Sequence, residues 1–552
     1  DGEPRQLVEE TADHFFRFEN FLGAPDSARE ATARAIAEAR LEFDLTKAPL
    51  FRATLYRVAA QDHFLVFSMH HIISDGWSLD IIVGELIELY GTYKAGGHSA
   101  LPPLRIQYRD YARWQNDRIA TATATATVAA VASDQVNGQV NGQMNGQMNG
   151  QMNGEKQYWL DCFGDAVPLL DLPADAPRPA VQSFQGAIDE FELPQDVSRA
   201  IRDLARQHGA SLFMTCTAAV KILLRRYTGS DDIVVGAPIA GRNHPDLKDQ
   251  VGFFVNMLAL RDRMTASDSV AGSIARIKST IEMALDHSSY PFDLLVEDLD
   301  LDRDMGRNPL FDVVVSFRDA PVQTGGIPGL EVEPISFEPG ISKFDLTFFF
   351  DENEDGSIGL AIEYSTDLFR PERIERMAEH LGVLVRSMAH NPEAEIGSLE
   401  ILAKTEATCL LADSNQTATD YPAHATIIEL FTEQVRRVPD RLAAVDRDDR
   451  FDYRQLNDLA NQVAVEILAR VDLRDEEPVG ILLERSAWTA VAALAILKAG
   501  GSYLPLDSAY PAERLAFILG ETECRLVLTE HEHEPSLRSC CPGLTTVDLA
   551  SL

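Results

Sequence analysis

The chain has 552 residues, 45% hydrophobic and 24% charged, with 49 Lys+Arg against 86 Asp+Glu and a formal net charge of −37. That length exceeds what one hydrophobic core organises, so several domains are expected, and the acidity argues against a nucleic-acid binder or an anionic-membrane docker, which need basic patches. Six scattered cysteines without a Cys-x-x-Cys pair give no metal site and fit a reducing, cytoplasmic setting, and no apolar run reaches transmembrane length.

Residues 1–118 mix helices and strands. REATARAIAEAR (29–40) has helical spacing, and FRATLYRV (51–58) and HFLVFSMH (63–70) read as neighbouring strands across the turn-like AAQD. After SMHHIISDGWS (68–78), Leu79, Ile82, Val83, Leu86, Ile87 and Tyr90 recur at 3/4 spacing with Asp80, Glu85 and Glu88 opposite, which predicts an amphipathic helix. Ser78 is its expected N-cap and Gly96-Gly97 its end.

Residues 119–154 contain TATATAT and, over 135–154, five QVNG or QMNG tetrapeptides. Each tetrapeptide holds a turn-forming Asn-Gly and a single apolar residue, so a disordered surface insertion is expected. Residues 155–400 resume the alternation. SRAIRDLARQHGA and SLFMTCTAAVKILLRRYTG read as helices, DDIVVGAPIAG as a strand entering a loop, and LFDVVVSF, KFDLTFFF and IGLAIEYS as strands, with PERIERMAEHLGVLVRSMAH (371–390) as a closing helix. Cys216 is expected in the core, His287 in a loop, and Lys221, Arg225 and Arg226 on a solvated helix face or docking spot. The polar NQTATDYPAH places a boundary near 400–412, and residues 401–552 form a linker and a fresh α/β stretch.

The chemistry centres on His70, His71, Asp75 and Gly76. On an extended strand His70 and His71 point to opposite faces, so they do not converge with Asp75 on one ion. The alternation implies a division of labour: one imidazole faces solvent and the other packs inward as a hydrogen-bonder. Asp75 is placed to orient the turn through an arginine or backbone N–H groups, and Gly76 to allow a tight bend beside the imidazole. Ser74 and Ser78 lack the glycine-rich surroundings of a nucleophile and read as turn and cap residues.

His70-His71-Ile72-Ile73-Ser74-Asp75-Gly76 resembles the HHxxxDG motif of the condensation domains of non-ribosomal peptide synthetases, relatives of the chloramphenicol-acetyltransferase fold. PLFRATLYRV, YRDYARWQ, GAPIAGR (236–242), VGFFVNMLALR (251–261), HSSYPFDLLVEDL (287–299), GRNPLFDVVVSF (306–317) and SKFDLTF (342–348) resemble family segments in the same order, covering roughly residues 1–400. From NQTATDYPAH through FDYRQLNDLAN (451–461) to LKAGGSYLPLD (497–507), the tail resembles the opening of an adenylation domain.

The resemblance implies an α/β protein. Two acetyltransferase-like lobes, 1–118 and 155–400, each a mixed sheet with flanking helices, form a V around a channel, and a partial adenylation subdomain follows. His71 is the implied catalytic residue, supported by His70, Asp75 and Gly76. Trp77, Gly252, Phe254, Asn256, Arg307 and Asn308 are candidate channel residues, with a satisfied buried Asn as the other reading of Asn256 and a fixed loop as the likelier physical role of Arg307-Asn308. The family's opening segment, ahead of DGEP, is not found. Its arginine pairs with the aspartate that matches Asp75, and Arg52 is the candidate stand-in. No cofactor or metal is bound directly. Substrates ride as thioesters on the 4'-phosphopantetheine arms of upstream and downstream peptidyl carrier domains, without nucleic acid or membrane.

The implied reaction is peptide-bond formation with an L-configured donor. An epimerisation domain, a stand-alone coenzyme A-dependent acyltransferase and a non-catalytic scaffold are the rival readings. Trp77-Ser78 after the motif and the adenylation-like tail favour condensation. The Ser/Thr/Gly-rich phosphate loop of the adenylation family is not found in 401–552, so the chain is expected to show no amino-acid-dependent pyrophosphate exchange. An exchange signal above the enzyme-free background would overturn this.

Overall fold

The computed structural model describes residues 5–8, 15–24, 26–98, 101–131, 143–301, 304–318, 330–333 and 340–551. β1 (Phe16–Asn20), β2 (Phe51–Arg57) and β3 (His63–Met69) form a three-stranded sheet, β1 parallel and β3 antiparallel to the central β2. α1 (Ser27–Ala39) packs on it around Ala31, Tyr56 and Val58. Glu38 is buried there because its carboxylate accepts from Thr54 Oγ1 (2.8 Å) and Tyr56 Oη (2.5 Å).

The strand over 63–70 stops at Met69; His71–Ile73 make one 3-10 turn, and α2 (Gly76–Lys94) follows. The N-cap of α2 is Asp75 rather than Ser78: the Asp75 carboxylate accepts the Ser78 N–H. A carboxylate there also complements the positive end of the helix dipole. The apolar stripe of α2 is less covered than its pattern predicts. Only Ser78 is fully buried, and Leu79, Leu86 and Tyr90 are 39–43% exposed. The small core of the three-stranded sheet gives this helix little apolar surface to pack against.

α3 (Tyr108–Val131) and α4 (Gln143–Cys162) correct the disorder expected over 119–154. The backbone is helical through 119–131 and 143–154, while 132–142 lie outside the described residues. Extending a formed helix adds a hydrogen bond for each residue fixed, and α4 is anchored where Met152, Trp159 and Phe163 enter the main core.

The rest of the first body follows as β4 (Gly186–Glu192), α5 (Gln195–His208), α6 (Leu212–Thr228), β5 (Asp232–Ile239), β6 (Asn256–Arg263), α7 (Val270–Asp286), α8 (Phe292–Asp298), β7 (Val313–Arg318), β8 (Leu346–Glu352), β9 (Ile358–Ser365), α9 (Pro371–His390) and α10 (Lys404–Leu411). Its mixed sheet has the order β4-β9-β8-β7-β5-β6, with β5/β7 and β7/β8 parallel and the other pairs antiparallel. The core lies between this sheet and α5, α6, α7 and α9, where Leu223, Leu260, Ile277, Phe348 and Leu384 are buried.

Lys221 is not on a solvated face. It is fully buried on α6, where Nζ donates to Leu260 O (2.8 Å) and the Asp262 carboxylate, and Thr280 Oγ1 donates to the same carboxylate (2.6 Å). Burial lowers its pKa, with Asp262 opposing. Arg225 and Arg226 are likewise committed, to Asp231 and to the Leu399 carbonyl. Cys216 is fully buried.

The boundary falls just past the expected 400–412. The two bodies divide between Asn415 and Gln416. α10 belongs to the first because Glu406 meets His380 Nε2 at 2.6 Å, and His380 Nδ1 meets Tyr227 Oη at 2.7 Å.

The second body contains α11 (Ile427–Arg437), a β10 (Leu442–Val445)–β11 (Arg450–Asp452) hairpin, α12 (Tyr453–Arg470), β12 (Pro478–Leu482), α13 (Trp488–Lys498), β13 (Ser502–Pro505), α14 (Ala512–Glu521), β14 (Leu526–Thr529), α15 (Glu534–Cys540) and β15 (Thr545–Asp548). Its parallel sheet, β13-β12-β14-β15, is covered on both faces. Leu526 and Leu528 pack with α12 and α13, and Val527 between them packs with α14 and α15, as the two-residue strand period requires. Among the described residues no helix is long and apolar enough to cross a membrane.

Lys221→Ala leaves Asp262 as an uncompensated buried charge and is expected to cost about 3–5 kcal/mol of stability. Lys221→Met combined with Asp262→Leu recovers most of that loss, because neither charge is then stranded. Urea unfolding of the three proteins measures both effects.

Candidate functional site

The site starts from a strand that ends one residue before two imidazoles. His70 is half-buried; its Nδ1 accepts the Ile72 N–H (3.1 Å) and so caps the 3-10 turn, and its ring meets the Phe43 ring at 6.2 Å. His71 is exposed, and its Nδ1 lies 2.7 Å from Ser74 O. A carbonyl only accepts, so Nδ1 carries the proton. The neutral ring therefore keeps its Nε2 lone pair.

Beneath the turn is a buried polar knot. Asp75 Oδ1 accepts from Ser78 N (2.8 Å) and Arg242 Nη2 (2.9 Å), and Asp75 Oδ2 accepts from Phe254 N (3.1 Å). Ser78 Oγ accepts from Arg242 Nη2 and Gly252 N, both at 3.0 Å, and lies 2.6 Å from Asp75 Oδ1 and 2.9 Å from Gly252 O, the two acceptors for its single proton. Arg242 Nη1 donates to Leu247 O (2.7 Å) and Gln250 O (2.6 Å), and the guanidinium lies 4.1 Å from the Phe254 ring centroid. All three side chains are buried. Burial is tolerable because nearly every polar atom of the knot has a partner, Arg242 Nε being the exception.

Asp75 therefore has an arginine partner, and among the described residues it comes from GAPIAGR. Arg52 lies elsewhere, donating to Leu41 O at 2.5 Å with its guanidinium 3.9 Å from the Phe43 ring. The sequence offered a signal: Gly241-Arg242 ends a strand motif already matched to the family. Gly241 has φ +64°, and a Cβ there would sit 2.0 Å from Phe254 O, so only glycine lets this loop approach the 252–254 segment.

The other candidates need several corrections. Gly76 does not make a tight bend: it lies in the first turn of α2 without a positive φ, and an added Cβ would meet nothing within 4 Å. Gly252 and Phe254 are structural packing groups instead of open wall. A Cβ on Gly252 would fall 2.1 Å from the Tyr108 ring, and Phe254 is buried. Asn256 has its full amide capacity satisfied, donating to Ser288 O (3.0 Å) and Tyr290 O (2.8 Å) and accepting from Met257 N (2.9 Å) and Phe292 N (3.0 Å).

Arg307 and Asn308 build a different loop. Arg307 donates to Leu170 O (3.3 Å) and pairs with Asp312 at 3.7 Å, and Asn308 Nδ2 donates to Lys343 O (3.2 Å). Burial and the neighbouring Asp345 push Asp312 up to about 6. His287 follows α7 and stacks on Tyr158 at 4.0 Å.

Trp77 remains at an opening. It donates from Nε1 to Lys248 O (2.9 Å) and lines a pocket of about 410 Å³ with Ile239, Ala240, Asn243, Leu285 and Ser288. His71 is not among the residues lining that pocket. The aromatic group beside His71 is Phe253, which sequence reasoning missed. Its centroid is 5.3 Å from the imidazole at an interplanar angle of 79°. Among the described residues no cluster of three or more His, Cys, Asp and Glu side chains is arranged to hold a metal.

Residues 1–127 and 139–411 match the model of the Condensation domain, and residues 431–551 that of an AMP-binding enzyme. The chain belongs to the condensation-domain family, and its condensation domain is followed by the start of an AMP-binding domain; both are domains of acyltransferase- and ligase-type enzymes. It is similar to bacitracin synthase 3 of Bacillus licheniformis (36% identity over 96% of the chain) and gramicidin S synthase 2 of Brevibacillus brevis (37% over 96%). It spans 8% and 11% of their respective lengths. The fold matches a four-domain nonribosomal peptide synthetase solved with AMP and glycine, with a TM-score of 0.75 at 22% identity over 97% of this chain and 39% of that one.

Arg242→Ala and Asp75→Ala each strand the opposite charge and are expected to cost about 3–5 kcal/mol. The double variant is expected to lose about 1–3 kcal/mol less than the sum, because the two act on one network. A double-mutant cycle by denaturant unfolding reads the coupling; strict additivity would refute it.

Proposed function

We propose that residues 1–415 join a donor aminoacyl or peptidyl thioester to the α-amine of an acceptor aminoacyl thioester, both carried on the 4'-phosphopantetheine arms of carrier domains. The observation that carries this reading is the exposed His71 ring with its proton fixed on Nδ1.

The amine attacks the thioester carbonyl carbon, the C–S bond breaks, and the thiolate of the donor arm leaves. The amine must lose a proton on the way, and Nε2 of His71 is free to accept it or to hold the amine by a hydrogen bond. The demand on the imidazole is modest. A thioester is already activated, and an α-amine with a pKa of about 8 is partly neutral near neutral pH. Alignment of two reactants supplies roughly 7–11 kcal/mol, whereas a general base supplies about 10²–10⁴-fold. Positioning by the carriers therefore dominates, and His71 adds the proton step. Trp77 at the mouth of its pocket is the candidate channel residue that stays open to solvent.

The test is transfer between two loaded carrier proteins. His71→Ala is expected to lower kcat by about 10²-fold or more. His70→Ala strips a turn cap and is expected to act on stability, by about 0.5–2 kcal/mol, more than on turnover. Equal turnover of His71→Ala and the parent chain would reject this reading.

A further inference from the structure

We infer that Phe253 is the positioning residue that holds the His71 imidazole in its working orientation. This rests on the proposed role of His71 and adds a residue to it.

Three consecutive residues, 252–254, are tied to the other side of the site. Gly252 meets Ser78 Oγ through both its N–H (3.0 Å) and its carbonyl (2.9 Å). The Phe253 carbonyl accepts from Tyr108 Oη (2.8 Å), and the Phe254 N–H donates to Asp75 (3.1 Å). With this backbone fixed, the three positions have different surroundings. Position 252 has no room for one, Phe254 is buried under Arg242, and Phe253 between them stays 39% exposed. Its ring meets His71 at 5.3 Å in the edge geometry that aromatic pairs prefer.

The imidazole needs such a partner. Its one hydrogen bond among the described residues, from Nδ1 to Ser74 O, fixes a pivot and leaves the ring able to swing about it. A flat apolar neighbour blocks that swing and fixes the direction of the Nε2 lone pair. The turn at 71–74 supplies the pivot, and the 252–254 segment supplies the stop. The rigid linkage between them is the Asp75–Ser78–Arg242 knot.

The test uses the full chain with two loaded carrier proteins and the variants Phe253→Ala, Phe253→Tyr, His71→Ala and the double His71→Ala/Phe253→Ala. Phe253→Ala is expected to lower kcat about 3- to 10-fold, the worth of one aromatic contact, with KM changed less than about 2-fold. Phe253→Tyr keeps the ring and restores most of the rate. In the His71→Ala background the Phe253→Ala loss is expected to vanish. A loss of equal size in that background, or no loss at position 253 while His71→Ala is impaired, overturns the inference. Should His71→Ala turn over normally, the functional reading fails instead. Side-chain NMR relaxation of labelled histidines then decides the inference without turnover: Phe253→Ala should lower the order parameter of the His71 ring while its Nδ1–H tautomer, held by Ser74 O, persists. An unchanged order parameter overturns it.

Discussion

The buried contact between Asp75 and Arg242 is the constraint on which the site depends. A carboxylate and a guanidinium withdrawn from water must be surrounded by matched donors and acceptors, or the desolvation cost wins. Here the matching groups come from two distant stretches of the sequence. Ser78 and the turn at 71–75 supply one side, and the carbonyls of Leu247 and Gln250 with the N–H of Phe254 supply the other. The pair is less a source of raw stability than a device that fixes one register between two segments about 170 residues apart in the chain.

That register gives the two adjacent histidines unequal roles. Both use Nδ1 toward the main chain, but in opposite senses: His70 accepts and His71 donates to a carbonyl. Reversing the proton placement on one ring would cost it the hydrogen bond that holds it. The local turn thus selects the tautomer, and no charged residue is needed beside the imidazole to do so.

Much of this was legible from spacing alone. The strands at 51–58 and 63–70 and the closing helix at 371–390 follow from period and composition, and that helix has the expected bounds. The double-histidine motif and its family were legible because several segments agree in order. What periodicity could not show is which polar residue reaches which partner. Arg242 and Lys221 look like ordinary surface cations in a sequence, yet both are buried and paired. Their partners are distant in the chain or lie on another element. The α2 stripe failed the other way: a helix can carry a clean pattern while its surroundings cover little of it. Phe253 was hidden because FF reads as an apolar pair, and only the hydrogen bonds that fix 252–254 separate a buried ring from one beside His71.

The tie between Glu406 and His380 bears on how such chains are cut and rejoined. No residue of α10 is fully buried, yet a carboxylate on it contacts an imidazole shielded within α9 and backed by Tyr227. Severing the polypeptide at 400 would take that carboxylate away and leave a partly shielded ring lacking its acceptor. A graft keeps this anchor when its seam is made beyond Leu411, where α10 ends.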